Sequence, residues 1–89
     1  MTKKKIKESC EHYDKTYTLT VAMEECAELT QCLSKEIRGQ GDIGHLEEEI
    51  ADILICIQDI ASLCDIDEKR VQRWVDFKQN RQTQRIRGG

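Results

Sequence analysis

Four acidic residues in this 89-residue chain repeat one interval. Glu25 and Glu28 stand three positions apart, and Glu49 and Asp52 stand three apart again, with twenty residues between the pairs. Positions i and i+3 are neighbours on a helix surface, so each pair presents two carboxylates together. Like charges so placed destabilise a helix by roughly 0.2–0.5 kcal/mol per pair, and by more where water is excluded. Four carboxylates facing one another therefore need protons or a divalent cation. An all-oxygen donor set suits a hard cation, Mg²⁺ or Mn²⁺, whose remaining positions are filled by water and by substrate phosphates. A single Glu pair at this spacing is more often a solvated helix face. Two matched pairs on successive amphipathic segments are a much rarer coincidence.

Two helices must position these acids. Apolar residues recur at Leu19, Ala22, Met23, Cys26, Leu33 and Ile37, with Thr30 as a semi-polar member, and these intervals of three and four mark a helical stripe. Thr18 reads as its N-cap and Gly39 as its left-handed C-terminal stop. The stretch from Gly39 to Gly44 reads as a loop. A second stripe follows through Leu46, Ile50, Ile53, Leu54, Ile57, Ile60, Ala61 and Cys64, with Glu47, Glu48 and Glu49 expected in its first turn, where the helix dipole favours acids. At about 100° per residue, both acid pairs fall at the edge of the apolar face. A helical hairpin can then make them converge. Asp67 reads as the cap of a third, weaker helix through Val71, Trp74 and Val75, and residues 1–16 as a basic N-terminal segment with a short helix through Ile6, Cys10 and Tyr13.

Composition narrows the alternatives. There is no proline, and the five glycines sit at 39, 41, 44, 88 and 89, which excludes a turn-rich sandwich or barrel. The expectation is an all-α fold: a single domain over 17–87 and a flexible end at 88–89. Five cysteines with no C-x-x-C argue against a disulfide framework or structural zinc and for a reduced, cytoplasmic protein. No apolar run reaches the ~18 residues of a membrane span, and the Lys-rich start lacks the apolar stretch of a secretory signal. With 38% hydrophobic residues and four aromatics, a monomer has little core, so a homo-oligomer completing a four-helix bundle, dimer or tetramer, is expected. Net charge is −3 but segregated: +2 over residues 1–16, −11 over 17–68 and +6 over 69–89. An acidic chain is a poor general nucleic-acid binder. Its basic end is either a solvated tail or a partner for an anionic ligand shared with the acidic centre.

The run Glu24-Glu25-Cys26-Ala27-Glu28-Leu29, followed by Glu49-Ile50-Ala51-Asp52, resembles the MazG-type all-α nucleoside triphosphate pyrophosphohydrolases, whose signature is E-E-x-x-E, a spacer, then E-x-x-D. The resemblance extends from about residue 13 to 86 and is nearest to small single-domain, often phage-encoded members. It implies that Glu25, Glu28, Glu49 and Asp52 bind Mg²⁺ and are the catalytic set. It further implies that an NTP or dNTP is converted to the monophosphate and pyrophosphate. Lys35 lies two turns beyond Glu28, while Lys78, Arg81 and Arg85 resemble the basic K-x-x-R segment of small relatives. Lys35, Lys78 and Arg81 are thus expected on phosphate. The competing reading is a helical oligomerisation or regulatory module with the same fold and no catalysis.

Other residues attract simpler readings. His45 lacks the E-x-x-H partner of a di-iron site and reads as a first-turn residue. Trp74 reads as core rather than a base-stacking group, and Cys26 and Cys56 as small buried hydrophobes. The direction of Glu24, about 100° from Glu25, leaves its role open.

Overall fold

The computed structural model describes residues 2–88. Each helix in it opens on a side chain that satisfies one of the free N–H groups of the first turn. Thr2 accepts from Lys5 N at 3.3 Å to start α1 (Lys3–His12). Asp14 accepts from Tyr17 N at 2.7 Å to start α2 (Lys15–Ile37). Asp42 accepts from His45 N at 3.2 Å to start α3 (Ile43–Leu63). Asp67 accepts from Lys69 N at 2.8 Å to start α4 (Glu68–Ile86). The described residues are all-helical apart from the connections.

Two expected starts move earlier, by one turn for α2 and by about half a turn for α3. Thr18 is not a cap but a buried residue inside α2, because Asp14 is the stronger capping group. Asp42 likewise starts α3 early, so Gly44 lies within the first turn and Glu47, Glu48 and Glu49 fall beyond it. The stop at Gly39 is as expected. Its φ is +74°, Gly39 N donates to Glu36 O at 3.1 Å, and Gln40 N donates to Lys35 O at 2.9 Å. These two bonds form a Schellman motif, which needs a left-handed residue where Gly39 stands. Asp65 takes the same role after α3 with φ of +51°, and Ile66 N donates to Ala61 O at 2.9 Å. Of the end expected to be flexible, Gly88 has a φ of +78° and Gly89 lies outside the described residues.

The five-residue connection 38–42 folds α3 back along α2 as an antiparallel hairpin, the principal packing of the molecule. The faces that meet are not the richest apolar stripes. On α2 the buried or half-buried positions include Thr18, Ala22, Glu25, Leu29 and Cys32, with Leu19 and Val21 half-buried beside them; on α3 they include Leu46, Glu49, Ile53, Cys56, Ile60 and Leu63. Both sets alternate intervals of three and four, the pattern of a two-helix seam. The outer stripe is left open: Met23 is 73% and Ile37 87% exposed, Ile50, Leu54 and Ile57 are exposed on α3, and Cys26 is exposed, whereas Cys56 is buried as expected. The exposed stripe of α3 is rotated by about 100° from its packed face.

Helix α1 lies on α3 and buries Ile6 there. Helix α4 has no buried residue and runs along no other helix. Trp74, expected in a core, is 63% exposed; it meets Phe77 edge-on at 6.0 Å, and the Arg81 guanidinium sits 5.6 Å from the Phe77 ring centre. The resulting shape is extended, 48 × 35 × 21 Å, with a radius of gyration of 16.0 Å. A compact chain of this length has a radius of about 12 Å. No described helix is long and apolar enough to cross a membrane.

Candidate metal centre

The hairpin seam carries acids where a two-helix seam ordinarily carries apolar residues. Glu25 on α2 faces Glu49 and Asp52 on α3, and each offers a carboxylate oxygen within 4.8 Å of the others. Glu49 is buried at 6% exposure, and Glu25 and Asp52 are half-buried. One oxygen of Glu25 and one of Glu49, both Oε2, are fully covered and have no hydrogen-bond partner. A buried carboxylate oxygen without a donor is costly, so native structures rarely keep one without a ligand or proton to meet it.

Electrostatics mark the same spot. The Glu25 carboxyl is pushed up from 4.5 to about 7, first by burial and then by the negative charges of Glu28, Asp52 and Glu49. Burial first, and then the charges of Glu25 and Asp59, push the Cys56 thiol up as well. The seam thus concentrates negative charge in a place water reaches poorly. Among the described residues no Lys or Arg forms an ion pair with any of the four acids.

Among the described residues, the one basic group in contact is His45. Its Nε2 lies 3.3 Å from Glu49 Oε1, and its Nδ1 lies 3.8 Å from Cys32 Sγ. His45 is indeed in the first turn of α3, as expected, but it also holds one Glu49 oxygen and leaves the other buried without a partner. Anchoring the far oxygen of a metal-binding carboxylate fixes its orientation. The i,i+4 interval from His45 to Glu49 is legible in the sequence and identifies this contact.

The expected residues divide accordingly. Glu25, Glu49 and Asp52 come together. Glu28 stands one turn along α2 from Glu25, exposed but close enough to act on its charge. Lys35 is exposed near the end of α2. Lys78 and Arg81 lie on α4, which does not pack along the hairpin, so a single chain does not bring them to the carboxylates.

The donor set fits a hard divalent cation: three carboxylates converge, and Glu25 and Glu49 each keep one buried oxygen without a partner. Comparison with protein-family models, curated proteins and solved structures returned no match.

Proposed function

We propose that this chain is an Mg²⁺-dependent nucleotide pyrophosphohydrolase, with Mn²⁺ as an alternative ion, that converts an NTP or dNTP to the monophosphate and pyrophosphate. The observation that carries this reading is the convergence of Glu25, Glu49 and Asp52 from two helices, with two buried oxygens awaiting a partner. The motif resemblance to MazG-type enzymes supplies the reaction class. Water adds to the α-phosphorus, the bond to the bridging oxygen breaks, and pyrophosphate leaves.

Glu25, Glu49 and Asp52 hold the cation, with Glu28 at the solvent edge. The bound ion supplies positive charge against phosphate oxygens and lowers the pKa of a bound water. His45 keeps Glu49 oriented, and the seam residues around Glu25 and Glu49 keep bulk water away. Lys35 binds phosphate from the end of α2, while Lys78 and Arg81 do so from α4 of a second copy.

The homo-oligomer rests on area as well as on reach. The chain exposes 7478 Å². A compact monomer of this mass exposes about 5,400 Å², leaving an excess of roughly 2,000 Å² per chain, of the size an obligate homodimer buries. The open stripe of Ile50, Leu54 and Ile57 is the natural seat for a second hairpin, which would complete a four-helix bundle. Five free thiols suit a reducing, cytoplasmic setting.

Incubation with a panel of NTPs and dNTPs plus Mg²⁺, followed by separation of products, tests the reading. Monophosphate and pyrophosphate in equal amounts are expected. Orthophosphate with diphosphate would contradict the reaction type. The combined Glu49→Gln and Asp52→Asn change is expected to abolish turnover with the helical circular dichroism retained; surviving activity would overturn the site.

A further inference from the structure

From the carboxylates toward the connection 38–42, the hairpin seam holds a thiol and an imidazole. Cys32 lies seven residues after Glu25 on α2, and His45 four before Glu49 on α3, so each shares a helix face with the acid it accompanies. The antiparallel packing brings the two together. Cys32 Sγ lies 3.8 Å from His45 Nδ1, and His45 Nε2 lies 3.3 Å from Glu49 Oε1. The ends of this chain are buried, Cys32 at 8% and Glu49 at 6% exposure, while the His45 side chain between them is 49% exposed. Neither Cys32 nor His45 falls within the two acidic motifs.

Hydrogen-bonding chemistry orders the protons along it. An ionised carboxylate only accepts, so the bond to Glu49 needs a proton on Nε2. A neutral imidazole carries one ring proton, so Nδ1 then keeps a lone pair and calls for a donor. Among the described residues, the Cys32 thiol is the side chain that meets it. A thiol is a weak donor, but its bond gains strength where water is excluded. The backbone of His45 is already fixed, since its N–H donates to Asp42 Oδ1 at 3.2 Å. The two ring bonds then fix the side chain. A half-turn of the ring puts carbon atoms where both nitrogens stand and loses both bonds. Glu49 would be left with Oε1 unpaired as well as the buried Oε2.

We propose that Cys32 is a positioning residue of the carboxylate cluster: its thiol donates to His45 Nδ1, holds Nε2 on Glu49 Oε1, and so keeps Glu49 oriented with its other oxygen free for a divalent cation. The role presupposes the cation reading above. The thiol acts through His45 alone and takes no part in bond making.

A double-mutant cycle on the full chain separates this role from packing. Mg²⁺ affinity is measured by calorimetry for the wild type, Cys32→Ala, His45→Ala and the double variant at about pH 8, where an ordinary imidazole is neutral. Cys32→Ala is expected to weaken binding about fivefold, the loss of one hydrogen bond of ordinary strength. His45→Ala should weaken it about tenfold or more, as removal of an outer-shell partner does. In the His45→Ala background, Cys32→Ala should have no further effect. An equal effect in both backgrounds, or none in either, would overturn the role. Long-range proton–nitrogen NMR of the metal-free wild type, with His12→Gln to assign the two histidines, is a second arm that needs no variant of Cys32 to fold. The His45 proton is expected on Nε2, and a proton on Nδ1 instead would overturn the proposal by itself. A wild type that binds no Mg²⁺ removes the cation reading and this role with it. A wild type that binds Mg²⁺ no more tightly than Cys32→Ala removes the role alone.

Discussion

Replacing Asp52 with Asn should move stability in opposite directions depending on the metal. Asp52 and Glu49 bring like charges within 4.8 Å of each other. At an effective dielectric of about 20 that repulsion is about 3.5 kcal/mol, and screening at physiological salt leaves about 2 kcal/mol. Allowing for side-chain relaxation, Asp52→Asn should stabilise the metal-free protein by about 1.5 kcal/mol, or roughly 6–12 °C in Tm for a domain of this size. With Mg²⁺ the order should invert. A cation at a hundred times its Kd stabilises the folded wild type by about 2.7 kcal/mol, and the variant, missing one ligand, gains little. The assay is thermal denaturation of both proteins in EDTA and across a Mg²⁺ titration, at one fixed protein concentration because association also shifts Tm. Equal Mg²⁺ shifts in the two proteins, or a variant less stable in EDTA, would refute the assignment of these acids to a cation.

Two further outcomes follow from the same structure. Because the folded Glu25 pKa, about 7, lies above its ordinary 4.5, the folded chain binds more protons than the unfolded one between those values. Its contribution to stability is therefore present below about pH 4.5 and lost as pH rises through about 7. The raised Asp59 carboxyl acts in the same sense from 3.8 upward. In EDTA, Tm should thus be higher at pH 5.5 than at pH 8, Glu25→Gln should flatten the profile, and saturating Mg²⁺ should reverse it. Sedimentation equilibrium should return a multiple of the chain mass for the wild type. Ile57→Glu, on the open face of α3, should give a smaller assembly with its helices intact; an unchanged mass would place the interface elsewhere.

Helix number and order, the stop at Gly39 and the pairing of acids three apart all follow from local chemistry. Capping, glycine's left-handed backbone and 3.6-residue periodicity act within a few residues, so the sequence alone determines them. Asp14 and Asp42 were as legible as Thr18, and the stronger capping of Asp decided both starts.

Only the tertiary structure decided which faces meet. Helix α3 has two apolar faces, one through Ile50, Leu54 and Ile57 and one through Leu46, Ile53, Cys56 and Ile60, and periodicity cannot rank them. Packing on α2 selects the second, where the small Cys56 is buried, as are the small Ala22 and Thr18 of α2. That choice carries Glu49 and Asp52 onto Glu25 and leaves the bulkier stripe exposed. It also aligns Asp59 with Thr18 and the two tyrosines, a juxtaposition of distant residues that no interval in the sequence announces. Local rules place each acid on its helix; the rotation of one helix against the other makes them a site.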